Sequence, residues 1–279
     1  MRMLIAQLSD SHLKRPSEVA YGGHVDTAFF LRKAISHLNA LMPRPDLVLL
    51  TGDLTDHGTL DQMDHVCSHL SALEIPLLAI PGNHDDRALF HKFFPELVTE
   101  QSDGAFSYVV DRGPLRFVML DSSVPGKPFG LLEDSSLDLL QSALDTTPVI
   151  PTVVAVHHPP VEVGIEHMDR QNLLNSNQLA ETISSAPHVL AILCGHIHRT
   201  IHANFAGTSV IVAPSPAHSV SLNLNPGAAP QFRMEPPAVL LHQWQHHPEP
   251  FGRLITHTCY IADYGADYPF FDGNGQLLD

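Results

Sequence analysis

The sequence predicts an α/β fold, and three observations carry that prediction. Short apolar runs of β type alternate with amphipathic helical stretches along most of the 279 residues. From Met3 to Ile80 the order is βαβαβ, which demands a parallel sheet with helical crossovers. At 44% hydrophobic and 16% charged, the chain carries enough apolar side chains to cover such a sheet on both faces.

Each element follows from its local pattern. Met3 to Leu8 is a continuous apolar run and reads as a buried strand. Asp26 to Leu41 spaces Ala28, Leu31, Ile35, Leu38 and Leu41 three to four residues apart, one face of a helix that Pro43 ends. Leu47 to Leu50 is the next strand, Leu60 to Leu73 a helix, and Leu77 to Ile80 a third strand stopped by Pro81-Gly82. A helix is expected at Arg87 to Phe94. Two closely spaced strands, Ala105 to Val110 and Arg116 to Leu120, are joined by a Gly-Pro turn. Glu133 to Leu144 is helical, Val153 to Val156 a strand, Gln178 to Ile183 a helix and Val189 to Leu193 a strand. Two short strands flank Gly207 between Ile201 and Val212. The tail is proline-rich, with strands expected near Val239 to Trp244 and Leu254 to Tyr260. The expected division is a catalytic domain over 1–220 and an extension over 221–279 that completes it as a lid, an edge extension or an oligomer contact.

Composition narrows the function. With 15 Lys+Arg against 30 Asp+Glu, the net charge of -15 argues against long nucleic acids and anionic membranes as partners. No apolar run is long enough to span a bilayer. Cys67, Cys194 and Cys259 are odd in number and far apart, which points to no disulfide framework and to a reducing, cytoplasmic setting. Histidine numbers 20, more than Lys and Arg together. The helix histidines His37, His65, His69 and His91 and the tail residues His242, His246 and His247 are expected to face solvent or pack by their edges.

The polar residues directly after the strands form one series: Asp10 and His12, then Asp53, then Asn83 and His84, then His157, then His196 and His198. In open α/β sheets ligands bind at the carboxyl edge, so these side chains converge on one pocket. Without His84, the series offers two carboxylates, an amide oxygen and four imidazoles, which suit Mn, Fe, Co or Zn. Seven donors are too many for one tetrahedral ion and fit two ions about 3.5 Å apart that share a carboxylate. Gly52, Gly82 and Gly195, each beside a donor, are expected to let the backbone turn sharply there. Asp56 and Asp85 are expected to support ligands or cap helices. His158 could be either a ligand or a neighbour.

Five blocks, Asp10-Ser-His12, Gly52-Asp53-Leu-Thr-Asp56, Gly82-Asn83-His84-Asp85, His157-His158-Pro-Pro and Gly195-His196-Ile-His198, resemble those of the calcineurin-like metallophosphoesterases, in the same order. Asn-His-Asp-Asp, the His-His-Pro-Pro run followed by Gly164 and Met168-Asp169, and Ala213-Pro-Ser with His218 are similar to that family's cyclic-nucleotide (class III) and glycerophosphodiester phosphodiesterases. The segment 124–130, Val-Pro-Gly-Lys-Pro-Phe-Gly, departs from the smaller polar stretch expected in the glycerophosphodiesterases.

The resemblance implies a four-layer α/β/β/α sandwich and a binuclear centre. Asp10, His12 and His198 would hold the first metal, and Asn83, His157 and His196 the second. The choice of His157 over His158 rests on the family spacing, and Asp53 would bridge. It implies hydrolysis of small phosphodiesters, such as 3',5'-cyclic nucleotides, glycerophosphodiesters or phosphonate monoesters, by a hydroxide held on the metals. Two dications with Asp10, Asp53 and one hydroxide sum to about +1, so an acidic protein can still attract a phosphate at this point. His84 is expected to orient the phosphoryl group and assist the leaving oxygen, and Asn83 and His218 to contact substrate. A phosphomonoesterase with the same metals is the alternative enzyme, and a metal-free scaffold the alternative of another class. Apolar strand residues in the tail point to a dimer or larger homo-oligomer.

Overall fold

The computed structural model of the chain describes residues 2–98, 104–146, 149–248, 250–262, 265 and 268–278. In chain order the elements are β1 (Arg2–Leu8), α1 (Thr27–Ala40), β2 (Leu47–Thr51), α2 (Leu60–Leu70), β3 (Leu77–Ile80), α3 (Arg87–Phe93), β4 (Tyr108–Arg112), β5 (Leu115–Leu120) and α4 (Asp134–Leu144). They continue with β6 (Thr152–Val156), α5 (Glu166–Asp169), α6 (Ser176–Ser184), β7 (Val189–Cys194), β8 (Ile201–Phe205), β9 (Thr208–Val212), β10 (Ser219–Val220), β11 (Phe232–Arg233), β12 (Ala238–Gln245) and β13 (Arg253–Tyr260). The expected strands and longer helices are present with ends shifted by a few residues. The short α5 and the two-residue ribbon β10–β11 have too little periodicity to be legible in the sequence.

Two sheets stack at the centre. One runs β13-β12-β1-β2-β3 and the other β4-β5-β6-β7-β9-β8. Alternation along the second sheet separates its faces: Phe117, Met119, Val153 and Ala155 join the core shared with β1, β2 and helices α1 to α3. Val118, Leu120, Val154 and Val156 pack instead with Leu140 of α4 and Leu179 of α6. The layers are therefore α/β/β/α. Strands such as β2, β5 and β6 are buried along their whole length because both faces are covered.

The tail enters the first sheet rather than capping it. β12 lies antiparallel to β1 from Arg2↔Gln245 to Gln7↔Leu240, and β13 forms the sheet's outer strand on β12. One expectation is corrected here: His242 is fully buried instead of facing solvent. Gln7 donates through Nε2 to Thr51 Oγ1 and to the Cys194 carbonyl. That leaves Gln7 Oε1 to accept from His242 Nε2 at 3.0 Å, while His242 Nδ1 accepts from the Thr256 hydroxyl at 2.9 Å. Each donor in the chain is used, so a buried imidazole is tolerated between the sheets. Its position in a strand that alternates inward and outward was the available signal, since Leu240, His242 and Trp244 share a face.

Candidate metal centre

All five blocks lie at carboxyl ends of strands. Asp10 and His12 follow β1, Asp53 follows β2, Asn83 and His84 follow β3, His157 and His158 follow β6, and His196 and His198 follow β7. Because the two sheets are stacked, these ends come from both and meet at one edge. His218, beyond β9, reaches the same point, its ring centroid 4.6 Å from that of His198.

The backbone is unusual where the donors sit. Asp10, His12, Asp53, His196 and His198 all have positive φ, between 45° and 72°. Such a conformation costs a non-glycine residue about 1–2 kcal/mol and persists where surrounding structure over-determines it. The glycines act differently from expectation at two positions. Gly82 and Gly195 do not have positive φ; they supply room. A Cβ on Gly82 would lie 2.2 Å from Asp53 Oδ1, and one on Gly195 would lie 2.1 Å from Ser9 Oγ and 2.8 Å from Asp10 Oδ2. Gly52 combines both needs, with φ of 96° and His157 Nδ1 2.4 Å from where its Cβ would stand.

Asp53 sits between two groups of donors. Its Oδ2 is 3.5 Å from His12 Nε2 and 3.3 Å from His157 Nε2, while its Oδ1 accepts the His84 backbone N–H at 2.8 Å. On one side Asp10, His12 and His198 offer donor atoms all within 4.8 Å of one another. His198 Nε2 lies 3.5 Å from Asp10 Oδ1 and 3.0 Å from His12 Nε2. On the other side His157 and His196 have rings 5.2 Å apart, and the Nε2 of each is buried without a hydrogen-bond partner, as is Asn83 Oδ1. His158 also stands within reach of His157 and His196. Its Nδ1 is 2.8 Å from Ser122 Oγ, its Nε2 is likewise buried without a hydrogen-bond partner among the described residues, and a Cβ on Gly130 would lie 2.5 Å from the ring.

Backbone carbonyls set the tautomers. A carbonyl only accepts, so His157 Nδ1, 2.7 Å from Thr51 O, carries a hydrogen, and Nε2, facing Asp53, is the nitrogen that takes up a further proton or would bind a metal. His198 Nδ1 faces the His218 carbonyl at 3.3 Å and His84 Nδ1 the Asp56 carbonyl at 2.8 Å, with the same result. The loops are tied to each other by Asp85, whose carboxylate accepts from the backbone N–H of Gly82, Leu54 and Thr55 and from the Thr55 hydroxyl. Asp56 receives Lys14 Nζ at 2.5 Å and lies 3.7 Å from His12 Nδ1, beside a donor as expected, whereas Asp85 ties loop backbone and the cap of α3 is Asp86.

Electrostatics without a cation are strained. Burial lifts the Asp10 carboxyl to about 7 against the pull of the His157 ring, and the Asp53 charge adds to the lift. Burial would raise Asp53 as well, but His157, His84 and His12 outweigh it and hold its carboxylate well below the usual range. Burial would lower His157, yet Asp53 takes it to about 9. His196 falls to about 3 through burial and the neighbouring His157. One proton is thus concentrated between Asp53 and His157 while imidazoles with free lone pairs crowd round it. Buried unpartnered nitrogens, a buried amide oxygen and two carboxylates form a borderline N/O set that fits divalent metal ions, which would take that proton's place.

A cavity of about 380 Å³ opens over the donors. His12, Asp53, Asn83, His84, His196, His198 and His218 line its floor and sides. Tyr21, His167, Met168, Gln171 and Phe232 complete the wall, and of these the sequence offered a hint only for Met168. Tyr21 and Phe232 stack at 4.6 Å between ring centroids, although 211 residues of chain order give no sign that they meet.

Residues 3–200 match the calcineurin-like phosphoesterase family. The chain belongs to that family. Like this phosphoesterase in sequence are a probable glycerophosphodiester phosphodiesterase, GpdQ, of Arcobacter nitrofigilis, 38% identical over 99% of this chain and 100% of that one. A 3',5'-cyclic adenosine monophosphate phosphodiesterase, CpdA, of Pseudomonas aeruginosa is 36% identical over 95% of this chain and 93% of its own. In fold the phosphoesterase resembles a dimetal phosphatase from Danio rerio, with a TM-score of 0.64 at 15% identity, covering 93% of this chain and 99% of that chain. It also resembles a purple acid phosphatase from yellow lupin, with a TM-score of 0.63 at 14% identity over all of this chain and 53% of the lupin chain. Among the described residues of this phosphoesterase, no helix is long and apolar enough to cross a membrane.

Proposed function

We propose that this phosphoesterase hydrolyses small phosphodiesters at a two-metal centre. The observation that carries the diester reading is the lining of the cavity. No Lys or Arg stands among its lining residues, and its outer wall is Tyr21, Met168 and Phe232. A diester carries one negative charge and two organic substituents, whereas a monoester carries close to two charges and one substituent. With no Lys or Arg among the described lining residues and the rings of Tyr21 and Phe232 beside the donors, the site suits the first. The names of the relatives support the same class, glycerophosphodiesters and 3',5'-cyclic nucleotides among them.

In this reading Asp10, His12 and His198 hold the first ion, Asn83, His157 and His196 the second, and Asp53 both. Metals bound here would polarise the phosphoryl oxygens and activate water; Fe, Mn, Zn or Co all suit the donor set. The chain itself positions and moves protons. His84 Nδ1 is fixed on the Asp56 carbonyl, which leaves Nε2 to the cavity. Burial would lower that imidazole, but Asp53 and the Asp56 carbonyl outweigh it and raise it, so near neutrality it can donate a proton to the departing oxygen. His218 is pushed down to about 4 by burial, stays neutral, and its buried Nδ1 has no hydrogen-bond partner among the described residues, which suits contact with an uncharged hydroxyl or base edge of the substrate.

The remaining expectations belong to the same proposal. Residues 221–279 complete the domain begun by 1–220: β11 pairs with β10 of that domain beside the cavity, and β12–β13 join the first sheet. A homo-oligomer is supported by the exposed Tyr268, Phe270 and Phe271 beyond the outer strand β13. Three free thiols are in keeping with the cytoplasm. The decisive experiment compares bis(4-nitrophenyl) phosphate with 4-nitrophenyl phosphate at matched Mn²⁺. Faster turnover of the diester is expected, and a clear preference for the monoester overturns the reading.

A further inference from the structure

Outside the donors of the candidate centre, two further histidines lie in contact on α2. His65 and His69 are one turn apart on α2, so their side chains project from the same face. Their Nε2 atoms are 3.0 Å from each other, with ring centroids at 4.7 Å and both residues half-buried. His65 Nδ1 is 2.8 Å from the Lys14 carbonyl. That oxygen can only accept, so the hydrogen resides on Nδ1 and the His65 lone pair is on Nε2, directed at His69. A backbone carbonyl behind an imidazole is the arrangement that orients histidines in metal sites and raises their basicity. The carbonyl is itself held in place, because Lys14 Nζ is anchored on Asp56 at 2.5 Å.

We propose that His65 and His69 form a surface chelate for a divalent transition metal, separate from the binuclear centre. Two nitrogens 3.0 Å apart, each about 2.0–2.1 Å from one ion, subtend roughly 90–95° at that ion. This bite is that of adjacent positions in tetragonal and octahedral geometry, which Cu(II) and Ni(II) adopt. Water completes the coordination. Of the groups facing His69, Arg32 opposes a cation and Asp26 favours one, and burial together with His65 keeps the His69 imidazole neutral and able to bind.

The test uses the full-length chain, with His65→Gln and His69→Gln as variants. Neither residue lines the cavity or touches the donors, so Mn²⁺-supported hydrolysis should be unchanged in both, which also shows that they fold. Equilibrium dialysis against Ni²⁺ is expected to give one more equivalent bound to the parent chain than to either variant. Cu²⁺ added to the parent should give a paramagnetic resonance signal with coupling to two imidazole nitrogens, lost in both variants. Displacement of metal at the binuclear centre would be common to all three proteins and cancels in the comparison. Equal Ni²⁺ stoichiometry in all three would overturn the proposal, leaving the contact as a hydrogen bond between two rings.

Discussion

The backbone N–H of His84 donates to Asp53 Oδ1 over 2.8 Å, and so divides the two oxygens of the central carboxylate. Oδ1 is committed to the loop that carries Asn83 and His84, and Oδ2 alone faces His12 and His157. The loop after β3 is thereby placed by the same residue that joins the two donor groups.

Replacing Asp53 should therefore damage both halves of the site. Asp53→Ala is expected to lower kcat by about 10³-fold or more, the several kcal/mol attributable to lost metal and charge stabilisation. Metal analysis should show the second equivalent missing. A variant that retains two equivalents and its turnover would remove Asp53 from the bridging role.

His84→Ala should leave metal content intact and reduce kcat by about 10²–10³-fold for substrates with alkoxide leaving groups. With 4-nitrophenolate, which departs without a proton, the loss should be much smaller. Equal losses for both leaving groups would rule out proton donation and leave only orientation of the phosphoryl group.

Gly82→Ala tests close approach rather than backbone freedom. Its Cβ would stand 2.2 Å from Asp53 Oδ1 and 2.5 Å from the Asp53 nitrogen, so the carboxylate must move. A displacement of about 1 Å costs on the order of 10²-fold in rate. Thermal unfolding should fall because the Asp53 backbone must also shift, and activity should be reduced. Unchanged activity would mean that the loop relaxes without shifting Asp53.

Metal uptake should release protons. His157, raised to about 9, and Asp10, raised to about 7, both hold protons near neutrality that a cation must displace. Because the metal binds the deprotonated forms, apparent affinity should rise as pH increases from about 6 to 9. Calorimetry in buffers of different ionisation enthalpy measures the released protons directly. Affinity that is flat across this window would contradict the coupling of Asp53 to His157.

The buried His242 predicts a sign for acid stability. Burial lowers it to about 3 from an ordinary 6.5, so the unfolded chain binds the proton more readily. Its contribution to stability is complete above about pH 6.5 and is lost progressively as pH falls toward 3, with a slope of up to about 1.4 kcal/mol per pH unit. His242→Gln removes this group while keeping a hydrogen-bonding side chain. Urea unfolding at pH 7.5 and 5 should show a smaller loss for the variant, and equal losses would place the acid sensitivity elsewhere.

The sequence by itself determined the alternation of strands and helices, the strand ends, and the order of the donors along the chain. These features are local: an apolar run stops, a glycine or proline turns the chain, and an Asp, Asn or His follows within three residues. Tertiary structure alone decided which donors share an ion's reach, since Asp10 and His198 are 188 positions apart and meet only because two sheets stack with their carboxyl edges aligned. It also decided that the tail pairs with β1, that His242 is buried, and that Tyr21 meets Phe232 over the cavity. Such contacts depend on sheet order and long-range register, which periodicity does not encode because many distant strands are equally apolar. Even the turns at the site were settled there: positive φ falls on the donors themselves, a strained choice that only the surrounding packing can impose.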